Sequence, residues 1–478
     1  MTELNKWWQE STKCVPATKL NATQIGEFFA HLNAHTAYSI TIKNVDIPIL
    51  DRTGKLLICL DFQNHPYDPV ALTKSFNGDY HTIYQIKPTS NGVQTGFFST
   101  IETTGSIQHL TLSDVTIDAS SSKTTTHVGA LAGSNKGGAL LDVHLKGTNT
   151  LTTSDAVLFV GGMIGENKGT LTKLSVSGQL TMTNGVAANA VTHIGGMIGS
   201  TSQSLNGCVV SAAAKITVTG TDTKDAHIGG LIGTGEASNT TTIENCFANT
   251  HLDATDATAD HLYVGGLVGS AECQIKDCSA SGYVIGGKGA SEAATGGLLG
   301  YVDHADITRY PTNCSATGDV TAGIGEKAIY TGGLIGRSVI SLKNCSSVGK
   351  VKQSAATTQY TGGLIGMIAA DKLIYNSFSM SKLFQSDGKE LQIAVTSDNK
   401  ATNDARLCGL RPETKTRNCH YQGYLLNDKG GNTTITEKVK ASYLNKSVND
   451  ANNYLTWSFN ANTWGGAPYL IYKQNPVK

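Results

Sequence analysis

The stretch Gly229-Gly230-Leu231-Ile232-Gly233 decides the fold, because variants of it recur along most of the chain. They begin at Gly129, Gly161, Gly195, Gly229, Gly265, Gly296, Gly332 and Gly362, with successive starts 32, 34, 34, 36, 31, 36 and 30 residues apart. A degenerate copy, Gly96-Phe97-Phe98-Ser99, precedes the first by 33 residues. Self-similarity at a period of about 20–50 residues marks stacked repeats rather than one compact core. In most copies a β-branched residue precedes the glycine pair, two apolar residues follow, and a further glycine closes the phrase. A second short strand comes next, such as Ile243-Glu244-Asn245-Cys246-Phe247-Ala248, and then a third, such as Ala214-Lys215-Ile216-Thr217-Val218-Thr219. Three short strands per near-identical coil predict an all-β fold, a right-handed parallel β-helix. The repeated glycines give the space and dihedral freedom that closely stacked backbones need. At about 4.8 Å per coil, nine copies make a rod roughly 40 Å long.

On either side of the repeat the pattern changes. The expected organisation is an N-terminal cap over residues 1–90, the β-helix over 91–380 and a C-terminal cap or small module over 381–478. Within the first region, residues 21–32 read as one amphipathic helix. Asn21 or Thr23 can cap it, and Ile25, Phe28, Phe29 and Leu32 share a face. Such caps cover the sheet ends, which would otherwise recruit other strands. The tail breaks the period and carries Trp457, Trp464 and Pro468-Tyr469-Leu470.

Of the 10 cysteines, Cys208, Cys246, Cys278, Cys314 and Cys345 recur once per coil at one equivalent place, and Ser377 continues the series. They predict a buried ladder of free thiols, with a disulfide between neighbours not required. The chain has 37 Lys+Arg against 37 Asp+Glu, a balance that argues against a nucleic-acid partner and against docking to an anionic membrane. No apolar run is long enough to span a bilayer. The first residues, Met1 to Trp8, lack the apolar core of a signal peptide, so the expectation is a cytoplasmic protein or a mature chain whose export signal is absent.

The glycine phrase, followed by Asn/Asp-Cys-x-Ala/Ser, resembles the GLUG-motif repeats of bacterial surface proteins, including those of gut Bacteroidetes and the stalks of some surface peptidases. Residues Phe76 to Ile83 resemble the stretch that precedes such repeats. The tail from Leu444 through Trp464 to Leu470 is similar to their ends. The resemblance implies a secreted or cell-surface protein, outer-membrane display included. It also implies adhesion or substrate binding, with a glycan or a host or surface protein as partner. It brings no catalytic residues.

The best candidate surface is the residue two before each phrase: His127, Phe159, His193, His227, Tyr263, Ala294, Tyr330 and Tyr360. Stacked coils turn these into a ladder of rings on one flank, with His193, His227, Tyr263, Tyr330 and Tyr360 as candidate binding residues. Rings of this kind can grip the apolar faces of sugars, or simply stack and cover the core. His193 and His227 face each other across adjacent coils, yet lack a third metal ligand. Cys273 and Cys278 lack zinc spacing, so no metal is expected. For catalysis, Asp303, Asp306 and Arg309 share one long turn and are the weaker alternative, as in β-helix polysaccharide lyases and glycoside hydrolases. Asp253, Asp256 and Asp260 form a second acidic loop. Neither group shows matching acids on neighbouring coils, and Asp favours turns for its own backbone bonding. No cofactor is implied; calcium, which such enzymes sometimes use, has no ligand set behind it. The expected function is non-catalytic binding, with a carbohydrate-active enzyme and a structural stalk as alternatives.

Overall fold

The computed structural model describes residues 17–390, apart from 155, 186–189, 222–223, 237–239, 305, 307, 356–358, 371, 376 and 380, together with the backbone of short strands between 408 and 472. The chain winds into a β-solenoid of about nine turns. The strands that close the glycine phrases, from Phe98–Ile101 through Ile232–Gly235 to Ile365–Ile368, stack with Cys408–Leu410 into one ten-stranded sheet. The strands that precede them stack likewise, as do those that follow the cysteine corners. Stacking is parallel and in register: Ile232 pairs with Ile198 on one side and Val268 on the other.

The phrase itself explains the interior. Leu231, Ile232, Leu267, Val268, Leu334 and Ile335 are all fully buried, two consecutive residues per coil, because the chain bends sharply at the glycine pair. Ahead of the pair the parity of a strand holds. Ile228 and Val264 point inward and are buried, while the ring residue before each lies on the other face. The glycines are there for room. No phrase glycine adopts a positive φ in the left-handed region, so dihedral freedom is not what they supply. A Cβ on Gly196, Gly230 or Gly266 would instead collide with the carbonyl of the equivalent glycine one coil on.

The thiol ladder is present. Cys208, Cys246, Cys278, Cys314 and Cys345 are free and buried, as is Cys273. The sulfurs of Cys246, Cys278, Cys314 and Cys345 sit 3.1–3.2 Å from the carbonyl two residues before them, to which each donates. Ser377 continues the column, accepting from the Cys345 N–H at 3.0 Å. Burial pushes the Cys246 and Cys314 thiols well up, so those two stay protonated and inert. The residue before each cysteine turns a corner in the left-handed region: Gly207 (φ 67), Asn245 (55), Asp277 (53), Asn313 (57) and Asn344 (54). That conformation is why only Gly, Asn or Asp stands there. Cys59, outside the ladder, is disulfide-bonded.

Parallel stacking continues on both sides of the glycine repeats. On the N-terminal side Thr18 pairs with Leu60, Leu60 with Ile83, and Ile83 with Leu112. On the other side Ile365 pairs with Cys408 and Ile374 with Thr416. The tail then folds back antiparallel, Cys419–Tyr421 on Tyr424–Leu426, and Leu455–Phe459 pairs with Pro468–Tyr472. Met1 to Trp8 and Trp464 lie outside the described residues.

The helix spans Ala22–Ala34. Asn21 is its N-cap: its side chain accepts from the Gln24 N–H and the Gln24 side chain accepts from the Asn21 N–H, each at 2.9 Å. Ile25, Phe28, Phe29 and Leu32 are buried, and Phe28 and Phe29 meet Phe62, Phe76, Phe97 and Phe98 mostly edge to face at 5.2–6.2 Å. This aromatic cluster closes the first coil. Asn21→Ala is expected to lower stability by about 1 kcal/mol, and Asn21→Ser to keep most of it. A denaturant midpoint unmoved by Asn21→Ala would mean that the cap is not held by this box.

Candidate functional site

The flank of the solenoid at the glycine phrases carries three rows of side chains, each set by coil register. The first row is the ring ladder. His127, Phe159, His193, His227, Tyr263, Ala294, Tyr330 and Tyr360 stand directly opposite one another in successive coils. His127 stacks on Phe159 at 4.6 Å and Phe159 on His193 at 4.8 Å; His227 stacks on Tyr263 at 5.3 Å and Tyr330 on Tyr360 at 5.6 Å. His193 meets His227 edge-on, at 5.4 Å and 79°.

Ala294 leaves a gap in that row, and the second row fills it. This row is the residue after each closing glycine: Ser134, Glu166, Ser200, Thr234, Ser270, Tyr301, Arg337 and Met367, again in register. The Tyr301 ring stacks on Tyr263 at 4.8 Å, where a ring at 294 would have been. The Arg337 guanidinium lies 5.3 Å from the Tyr301 ring and 5.8 Å from that of Tyr330, bridging the break by cation–π contact. Glu292, buried, accepts from Arg337 Nη1 through both carboxylate oxygens at 3.1 and 2.9 Å.

The same row fixes the histidines. The Thr234 hydroxyl lies 2.6 Å from His193 Nδ1 and 2.8 Å from His227 Nδ1. One hydroxyl can donate to only one of them, so the other ring must donate to it. Burial lowers the pKa of His193 to about 4 and of His227 to about 3, keeping both neutral at physiological pH. With both Nδ1 atoms bound to Thr234, the pair is a structural link. At the other end His127 Nε2 lies 3.7 Å from Glu166, which Lys168 also holds at 2.9 Å.

This geometry decides what the ladder presents. Apart from the edge-on His193–His227 contact, its ring faces are turned toward one another along the axis, so the half-buried row offers mostly edges to solvent rather than faces. Sugar stacking needs an exposed face, which the interior rungs do not offer.

A third row lies two residues beyond the second. Glu236, Glu272 and Asp303 sit in three successive coils, each N–H bonded to the carbonyl of the coil before: Thr201, Gly235 and Ala271. Sequence alone shows no matching acids on coils neighbouring Asp303; the register supplies two. Ser200 donates to Glu236 at 2.6 Å and Tyr301 to Asp303 at 3.2 Å. Burial, with Asp303 and Glu236 alongside, raises the Glu272 carboxyl above its ordinary pKa. Among the described residues none of the three forms an ion pair.

The other acidic candidates do not converge on this row. Asp306 accepts from the Thr308 N–H and hydroxyl at 2.9 and 2.7 Å, closing its own turn. Arg309 donates to the Thr241 carbonyl at 2.6 Å and the Thr242 hydroxyl at 3.0 Å, tying its loop to another coil. Asp253 closes a turn on Thr255, whereas Asp260 lies 3.6 Å from His261. The residues that sequence reasoning missed, Glu166, Thr234, Tyr301, Arg337, Glu236 and Glu272, had a signal. They follow the closing glycine at a fixed offset of one or three positions.

Among the described residues no helix is long and apolar enough to cross a membrane. No curated protein and no solved structure matches the chain. Residues 260–285 match the family model described as the GLUG motif, a span that holds Tyr263, the phrase at Gly265, Glu272 and Cys278. The coil that carries ring, carboxylate and thiol of this site is thus a GLUG motif, in a β-solenoid consistent with a GLUG-motif family.

Proposed function

We propose that this solenoid is a non-catalytic, adhesin-like protein, secreted or displayed at a cell surface, that binds a glycan along the flank described above. The observation that carries this is the row Glu236–Glu272–Asp303 beside the ring edges. Three carboxylates at coil spacing, without ion-pair partners among the described residues, are acceptors for the repeated hydroxyls of a polysaccharide. The solenoid adds reach and rigidity. The Cys59 disulfide supports export, since disulfides persist in oxidising compartments.

A second reading draws on one observation. Burial and two flanking acids push the Glu272 carboxyl above its ordinary pKa, the direction that divides acid from base in glycoside cleavage. A glycan-binding screen, with a depolymerisation assay on every hit, separates the readings. Saturable binding without cleavage, weakened about tenfold by Glu272→Gln, is the expected result, since a hydrogen bond to a charged group contributes about 1.5–3 kcal/mol. Cleavage abolished by the same substitution would make the protein an enzyme. Binding to no glycan would overturn the proposal in favour of a protein ligand or a stalk.

A further inference from the structure

We propose that Asp225, Asp260 and His261 form a binding site for a divalent transition-metal ion. The site does not depend on the glycan-binding proposal. Asp260 and His261 are consecutive on the strand Phe247–Gly265. Ala226 pairs with Leu262, which sets Asp225 beside His261 on the preceding coil. His261 Nδ1 lies 2.8 Å from Asp225 Oδ1 and 3.6 Å from Asp260 Oδ2, and the three ligand atoms all lie within 4.8 Å of one another. An ion with bonds of about 2.1 Å holds neighbouring ligands roughly 3.0–3.4 Å apart. The two His261 distances bracket that spacing. The ion would replace the proton shared by His261 and Asp225, with small side-chain shifts and no backbone movement.

The supports are rigid. The Asp260 N–H donates to the Lys224 carbonyl at 2.8 Å, and the strands beyond both acids are locked in the parallel ladder. One imidazole nitrogen and two carboxylates suit an ion of the zinc or manganese class, whereas calcium takes 6–8 oxygens. All three side chains are more than a third exposed, which leaves outer coordination positions to water or to a ligand atom. Charges around the site partly offset one another. Ser291 hydrogen-bonds the Asp260 carboxylate, and Lys327 and Lys224 act on it from nearby, while Glu292, next in register after His261, is engaged by Arg337. Binding is therefore that of an open site, weaker than in a closed structural zinc centre. It also differs from the His193–His227 pair, whose Nδ1 atoms are both taken by Thr234.

The test is calorimetric titration of the tag-free protein with zinc, alongside the visible absorption of a cobalt titration. One saturable site is expected, weakened at least about tenfold by each of Asp225→Asn, Asp260→Asn and His261→Gln, the low end of what losing even a ligand's supporting partner costs. Circular dichroism should show an unchanged fold. The cobalt complex should show weak visible bands without the intense near-ultraviolet band of a thiolate complex, a readout that holds even if a variant misfolds. No saturable binding, a thiolate band, or affinity unchanged in all three folded variants would overturn the site.

Discussion

Gly230→Ala is expected to destabilise the solenoid by about 3 kcal/mol or more, at the upper end of what overpacking costs. The added Cβ would fall on the Gly266 carbonyl, with the Thr250 Cβ 3.1 Å away on another side. Flexible side chains can give way at little cost; here the obstacle is backbone of the next coil. That backbone is itself fixed, because the Gly230 N–H donates to the Gly265 carbonyl at 3.0 Å and the Gly230 carbonyl accepts from Thr250 at 2.8 Å. Relief requires the two coils to part, which weakens every pairing between them, and a solenoid draws its stability from such nearest-neighbour interfaces. Gly26→Ala is the matched control. Gly26 lies on the exposed side of the helix Ala22–Ala34 with nothing within 4 Å of an added Cβ. There alanine is expected to stabilise by about 0.5–1 kcal/mol, because glycine carries more backbone entropy. Chemical denaturation of both variants decides the matter. A Gly230→Ala midpoint close to wild type would mean that the coils have slack the register does not reveal.

The contrast between these glycines bears on what the sequence can disclose. Gly230 is legible because its phrase recurs, and recurrence at one period fixes stacking without any knowledge of contacts. The cysteine column and the helix cap were legible for the same local reason: one equivalent place per coil, one Asn before a helical stripe. The ring row was legible as a row, yet not its continuity. Tyr301 completes it from the far side of the glycine phrase, and only register shows that this ring occupies the space above Ala294. The acid row was hidden differently. Coil lengths vary from 30 to 36 residues, so Glu236, Glu272 and Asp303 fall at unequal sequence spacing although they stand one above another. Counting from the closing glycine instead of along the chain would have aligned them. Parallel pairing outside the glycine repeats was not legible, because Leu60, Ile83 and Cys408 pair without the glycine phrase.

Where the ring row breaks, its repair makes the second large effect. Arg337→Met should keep much of the side-chain packing while removing the charge that faces buried Glu292. Losing one partner of a buried pair costs about 3–5 kcal/mol; with the Arg337 side chain 26% exposed, solvent reduces this to about 2 kcal/mol. The effect has a pH signature. Burial already holds the Glu292 carboxyl above its ordinary pKa although Arg337 opposes it, and without Arg337 the folded value rises further. In the unfolded chain the group ionises near the ordinary glutamate value of about 4.3. Above that pH the unfolded state gives up the proton first, so stability falls as pH rises through the window up to the folded pKa, and the penalty is complete beyond it. Below about pH 4 the group is protonated in both states and the penalty vanishes. The difference between wild type and Arg337→Met should therefore be largest at neutral pH and shrink toward pH 4. Protonation of His193 and His227 in acid destabilises both proteins alike and cancels in the comparison. Adding Glu292→Gln should recover much of the loss at neutral pH, since the buried charge is then gone. A difference that stays constant with pH would assign the role of Arg337 to its contacts over Tyr301 and Tyr330 alone, making it a rung of the ladder rather than a counter-charge.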